Sequence, residues 1–533
     1  MTSKPLELIQ QGADSLIMKC LKVLILLAAM VLFASDGVCG GVDVTNISVG
    51  TRDAGTGTAP INFDISWNNS WRSTDPGAPA PNNWDAAWVF VKFRKNGGDW
   101  AHASLNDTGH AVPSGAALDV GLADTSAAFN IATNPGVGAF IYRSADGVGT
   151  FTKTGFSLNW KYIQDGVGVN DTIDIRVFAI EMAYVPPGAF FAGDNALATA
   201  AFRQGSSDTD PWYIGSESAI TTGTQAGSGT GLGETNSEYR YVSNSNSGED
   251  ATGAVFTVPA AFPKGYQKFY IMKGEISQSQ WVSFFNTLTT TQKIARDSTV
   301  SGKNSDNLVF GNNVSWTSGD ATLPDQGGGA TYASVAMNYL RWADLAAYLD
   351  WAGLRPMSEL EFEKAGRGPY RAVSGEYAWG SSLITGATSI SNAGKSNEAP
   401  GAAANCVYNN SGGVQGPMRV GAMAHGDATR IESGAGYYGV MDLTGNVWER
   451  PVTVGNATGR GFNGAKHGNG VLTNGGDADV TSWPGTNTVG AGFRGGNWYD
   501  GASHARLSGR ALAASPSTDR SHNRGGRGVR SAP

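Results

Sequence analysis

Three cysteines and six histidines are the chain's whole supply of soft or borderline metal ligands, and their spacing decides what chemistry is open to it. Cys20 and Cys39 stand near the start and Cys406 is alone far downstream. No Cys-x-x-Cys pair exists, so neither a dithiol redox centre nor a cysteine-rich zinc site can be built. His102, His110, His425, His467, His504 and His522 include no His-x-x-x-His spacing, which would put two imidazoles on one helical face. They read as hydrogen-bonded or solvent-facing loop residues. Glu359 and Glu363 would share one face of a helix, but acids in a first turn are ordinary helix electrostatics and do not by themselves make a paired-acid site.

The densest set of contact-making side chains lies at the end. Residues 494 to 533 hold seven arginines against two aspartates, a local charge of +5 in a chain whose net charge is −7. Gly495, Gly496, Gly501 and Gly509 permit sharp turns there, and Trp498, Leu507, Leu512 and Val529 supply apolar anchors. Arginine with tyrosine and histidine is the composition of a binding hot spot, because guanidinium forks and rigid rings give contact at low entropic cost. An acidic partner is favoured by this charge.

The elements that must hold these residues follow from composition and pattern. With 41% apolar and 16% charged residues over 533 positions, the chain can build ordinary cores and is long enough for two or three domains. Its 74 glycines lack a collagen period, and its acidic balance excludes a globally basic nucleic-acid coat. Lys19 and Lys22 precede an apolar run from Val23 to Ala34, then small residues up to a cleavage point before Gly41. Residues 1–40 therefore read as a secretory signal region, with a start at Met18, and the protein as secreted or cell-surface. No stretch is long enough for a transmembrane span.

Residues 41–183 alternate as strands, at Ile61–Trp67, Trp88–Phe93, Phe156–Trp160 and Asp171–Ile180, which predicts an all-β sandwich. Val185-Pro-Pro-Gly188 is a natural joint to a mixed region, 184–533, with low-complexity loops near 223–252 and 302–329. Helices are predicted at Ser277–Leu288, Val335–Leu349 and Ser358–Ala365, the last opened by a Ser358/Glu361 capping box.

Within 184–533 the segments Phe269–Trp281, Trp351–Arg367, Tyr377–Gly380, Gly439–Glu449 and Arg494–Trp498 occur in an order that resembles the formylglycine-generating enzyme family of sulfatase-modifying factors. The resemblance implies an α+β domain of C-type lectin-like fold, often with structural calcium. It also implies two possible occupations, copper-dependent oxidation and binding. The family's copper-binding cysteines fall here on Asp500 and Ala505, which offer copper(I) no soft ligand, so no copper and no enzymatic activity are expected. The calcium positions implied are Asp442, Gly445, Val447 and Glu449, with a second site beginning at Asn405 and Cys406. Residues 494–530 further resemble the variable region of proteins diversified by retroelements, which would make Tyr499, Asp500, Ser503, His504, Arg506, Ser508 and Arg510 the exchangeable ligand-binding positions. The expected function is that of an exported binder of a macromolecular ligand, a protein with an acidic patch and not nucleic acid. The alternatives are an oxidoreductase of the family's kind or a structural subunit of a surface assembly. The sequence leaves the oligomeric state open.

Overall fold

Period-two alternation builds the N-terminal region, and two of its strands turn out to have no solvent face. The computed structural model describes residues 41–75, 80–194, 198–204, 210–223, 239–410, 412–426 and 428–533. The signal region at 1–40 and the part of the 223–252 loop at 224–238 lie outside the described residues. The N-terminal strands are β1 (Val42–Val49), β2 (Ala59–Ser73), β3 (Asn83–Lys95), β4 (Trp100–His102), β5 (Ala116–Leu122), β6 (Gly136–Arg143), β7 (Gly147–Trp160) and β8 (Ile173–Val185).

β2 buries Ala59, Ile61, Phe63, Ile65 and Trp67 and leaves the residues between them half exposed, which is the pleat period of a sheet with one wet face. β1 and β7 pair with it antiparallel on its two sides. Opposite them lies a layer ordered β5-β6-β3-β8. Ala87, Val89, Val91 and Phe93 of β3 and Val177 and Ala179 of β8 fill the space between the layers with the β2 residues.

The alternate residues of β3 and β8 face the other way, into a second core. Trp88 and Phe90, with Phe178, Ile180 and Met182, pack there with Trp281, Phe284 and Trp351 of the C-terminal region. This is why β3 reads as a nearly continuous apolar run. β8 also pairs with strand Phe269–Met272, which pairs with Val529–Ser531, so one ten-stranded sheet runs through both regions. The boundary at 183 and 184 marks a change in sequence character, while the described chain from Gly41 onward lies within one compact body.

The C-terminal region adds α1 (Gln278–Phe285), α2 (Thr290–Arg296), α3 (Trp342–Trp351) and α4 (Glu359–Arg367), with two four-residue helices further on, Ala457–Arg460 and Ala502–Ala505. α1 and α4 start at Ser277 and Ser358, each closing a capping box, as their sequences predict. α2 is capped by Thr289 with Gln292 in the same way. α3 begins seven residues later than the pattern predicts, because Val335 and Ala336 are extended and bridge to Arg419 and Ser277. All ten α3 residues are buried, and Trp351 sets its ring edge on Phe90 at 5.0 Å and Phe178 at 4.9 Å. Beyond α4 the chain is mostly irregular backbone up to the last strand. Among the described residues no helix is long and apolar enough to cross a membrane.

Candidate functional site

The terminal loop is fixed first by its backbone. Gly495 and Gly496 take φ of +84° and +73°, and a Cβ on Gly496 would come within 2.9 Å of the Ala505 backbone nitrogen. Only glycine allows both the left-handed turn and this approach. Asn497, fully buried, then accepts the Tyr499 and Asp500 N–H groups at 2.8 and 3.1 Å and donates to the Asp500 carboxylate at 2.5 Å. Trp448 Nε1 donates to the same carboxylate at 3.2 Å. Trp498 is buried and donates from its ring nitrogen to the His522 carbonyl at 2.9 Å.

On this frame five of the seven expected contact residues reach the surface. Tyr499 is 50% exposed, Ser503 is exposed, and Asp500, His504 and Arg506 are half-buried. His504 lies 5.8 Å from the Trp448 ring, and Arg506 hydrogen-bonds Tyr377. The structure adds two residues that sequence reasoning missed. His522 stands 5.2 Å from the Tyr499 ring, and Phe310, 41% exposed, lies 4.9 Å from His522. Phe310 has φ of +45° without being glycine or asparagine, so nothing local announces it.

Ser508 and Arg510 do not belong to that surface. Arg510 is fully buried: its Nε and Nη2 hold the Glu359 carboxylate at 2.7 and 3.1 Å, and Nη1 donates to the Ala200 carbonyl at 2.9 Å. Its guanidinium lies over the Phe202 ring at 4.1 Å. Ser508 Oγ donates to Glu363 at 3.0 Å and accepts from Arg367 at 2.6 Å. Arg494 completes the group, with one nitrogen on Glu359 at 3.0 Å and another on Glu363 at 2.7 Å. Glu359 and Glu363 thus share a helical face, as their spacing requires, and that face is an internal ion-pair lattice. Most of the other terminal arginines are engaged within the fold as well. Arg520 pairs with Asp344, Arg527 with Glu449, Arg530 donates to the Gly353 and Leu122 carbonyls, and Arg524 donates to Ser517 and Asp519.

Among the implied calcium positions, Asp442 and Glu449 are buried beside the Glu275 carboxylate. The Glu449 carboxylate is held by Arg527, with its Oε2 left without a protein partner among the described residues. Asp442 accepts the Gly421 N–H at 2.6 Å, and the Val447 N–H donates to Glu275 at 3.0 Å. Asn405 accepts the Thr385 N–H at 2.8 Å, and the Cys406 thiol points to the Thr444 carbonyl at 3.4 Å. Calcium takes six to eight oxygens. Burial raises the Asp442 and Glu449 carboxyls, with Arg527 offsetting part of it for each, and no donor among the described residues reaches the carbonyl oxygens of Gly445 and Val447. Among the described residues no three His, Cys, Asp or Glu side chains converge in a metal-holding group.

The comparison with known families matches residues 238–532 to the sulfatase-modifying factor enzyme 1-like domain, a segment that carries α1 to α4, strand Phe269–Met272 and the whole terminal loop. The chain belongs to this family. No curated protein matches it. The β-rich N-terminal region lies outside the matched segment. At the two positions where the resemblance places copper-binding cysteines, the chain has Asp500, occupied with Asn497 and Trp448, and Ala505, fully buried. A carboxylate and a methyl group do not fit copper(I). Cys406 packs in the same small cluster as Ala505, and burial, then the Asp442 and Glu275 charges, push its thiol well above the usual range. That environment disfavours the thiolate, the form that attacks or binds a soft metal.

The buried acids give a pH prediction with two opposite signs. Burial alone would raise Glu359 and Glu363, but Arg510 and Arg494 outweigh it for the first, and Arg494 and Arg367 for the second, so both fold with lowered values. Their stabilisation is present above the unfolded carboxylate range, about 4.3, and is lost as pH falls below it. Asp85 and Asp350 are the reverse. Burial raises them to about 6 and about 7, despite hydrogen bonds from Trp67 and Ser70 to the first and from the Asp479 and Asn469 N–H groups to the second. Their contribution is present at low pH and lost as pH rises through those values. Calorimetric melting temperature is therefore expected to rise from pH 8 to 6 and fall steeply below pH of about 4. A flat profile between pH 8 and 6 would assign Asp85 and Asp350 ordinary acidities.

Proposed function

We propose that the protein is an exported binder that presents Tyr499, Asp500, Ser503, His504 and Arg506, with His522 and Phe310, to a macromolecular partner. The carrying observation is the contrast within one short loop: these side chains reach solvent while Gly495, Gly496, Asn497, Trp498, Ala505 and Leu507 around them are buried. Such a loop can exchange its outward residues without disturbing its frame, which is what retroelement diversification on a C-type lectin-like scaffold would require. The partner is a protein, met through aromatic faces and hydrogen-bonding groups and less through charge, since most of the terminal arginines are spent inside.

Two measurements test the reading. Neighbouring genes should include a reverse transcriptase and a near-copy of the terminal coding segment with adenines at the codons for Tyr499, Asp500, Ser503, His504 and Arg506. The protein with Tyr499, Ser503 and His504 all changed to alanine should melt close to the parent, since exposed substitutions typically shift stability by about 0.5 kcal/mol or less. Absence of the gene pair, together with a collapsed melting temperature in that variant, would return the loop to a structural role.

A further inference from the structure

A cavity of about 850 Å³ lies where the N-terminal sheet meets the start of the family-matched segment, with a lining that does not include the Tyr499 loop. Its rim carries exposed Asp43, Asn68 and Asn69 from β1 and β2 and exposed His425 from the facing loop. Its inner wall holds Glu181 at the cavity side of β8, Lys273 and Gln280, with Ser277, Ser279 and Ser334 beside them. Because β1, β2 and β8 supply one wall, the cavity is not a feature of residues 238–532 alone.

We propose that this cavity binds a neutral, polyhydroxylated ligand, an oligosaccharide. Its volume is in the range of small-molecule sites. Its inner charged groups are already engaged: Lys273 Nζ and Glu181 Oε1 stand 2.6 Å apart, the Glu275 carboxylate accepts from Asn446 Nδ2 and the Val447 N–H at 2.5 and 3.0 Å, and the Arg419 guanidinium donates to the Glu398, Val420 and Gly421 carbonyls, while Asp43 stands exposed at the mouth. An anionic ligand would have to break one of these arrangements, and the exposed acid, Asp43, lies at the mouth where solvent and salt screen its pull on a cation. Hydroxyl groups need no such exchange. A carboxylate oxygen keeps a lone pair after one ion pair and an ammonium keeps further protons, so vicinal hydroxyls can be received by both members at once.

Gln280 gives its Oε1 to the Ser277 N–H at 2.9 Å, and its amide NH2 has no protein acceptor among the described residues. Serine hydroxyls on the same wall can serve as donor or acceptor. The cavity lining contains no phenylalanine, tyrosine or tryptophan, so a flat aromatic cofactor would find nothing to stack on. Ile180, Met272, Val420 and Met441 offer instead the modest apolar contact that the C–H face of a sugar ring can use.

The test is saturation-transfer NMR on the full chain with maltotriose, cellotriose and chitotriose as probes. At least one should show transfer, and Ser334→Trp, which fills the cavity from its half-buried wall, should weaken that binding about tenfold or more. Lys273→Met should do the same if it folds, and Tyr499→Ala should leave the signal unchanged. No transfer from any of the three, transfer that survives Ser334→Trp in a protein with the parent's circular dichroism, or loss of transfer on Tyr499→Ala would each overturn the proposal.

Discussion

Arg510→Ala is expected to destabilise the protein by about 3–5 kcal/mol, the largest loss of any single change in the terminal loop. The reason is what remains behind. Glu359 is fully buried, and removal of Arg510 takes two hydrogen bonds and half of its compensating charge, leaving Arg494 alone against it. The same change empties the space over Phe202 and leaves the Ala200 carbonyl without its donor. Lysine should rescue little, because a single ammonium cannot reproduce a fork that grips both carboxylate oxygens. Chemical denaturation measures this directly. An Arg510→Ala protein with the parent's midpoint would mean that the side chain faces outward and belongs with Tyr499 and Arg506 as a contact residue. Glu359→Gln is the matching change from the other side, and it should also remove part of the acid-pH sensitivity.

The difference between Arg506 and Arg510 marks where sequence reading ran out. Both stand between apolar anchors in the same loop, and nothing in the residues around them separates a solvent-facing guanidinium from a buried one. The deciding partner, Glu359, is 151 positions away. Local signals fared better because their causes are local. Ser277 and Ser358 each found the N–H groups three residues ahead, and the β2 alternation matched one wet and one dry face. The α3 start failed for the opposite reason: Val335 and Ala336 carry helical spacing, but tertiary pairing with Arg419 and Ser277 holds them extended. Cys406 and Ala505 are neighbours only through the fold, about a hundred positions apart in the chain and packed in one small cluster.

The same long-range logic explains why the N-terminal sheet reads as a separate sandwich but is not built as one. Alternation in β8 looks like any half-buried strand until its second face is covered. Glycine is needed at the crossing itself: a Cβ on Gly138 would stand 2.5 Å from the Trp88 ring and one on Gly121 2.5 Å from the Arg530 guanidinium. Arg530, two strands away in the sheet from β8, is therefore seated by residues of β3, β5 and β6 as well as by its own family-matched neighbours.

Residues 186–533 produced without the preceding strands are accordingly expected to be insoluble or molten. Their sheet would begin at Phe269–Met272 with one edge bare, and Trp351, Phe284 and Tyr270 would lose the aromatic layer that now covers them. Tyr270 alone stacks on Phe140 at 3.9 Å, and Trp88 donates to the Ala352 carbonyl at 2.8 Å. An exposed apolar face of that extent together with an open strand edge invites aggregation. A graded version of the experiment keeps the chain whole: Trp88→Ala should cost about 3–5 kcal/mol, the range for emptying a large aromatic site. Burial already lowers Arg530 to about 9, and the loss of the Trp88 ring 4.3 Å beneath its guanidinium would leave that cation with less to rest on. A soluble, cooperatively melting 186–533 fragment would show instead that the family-matched region closes its own core, and that β3 and β8 are an accessory layer which the terminal loop can do without.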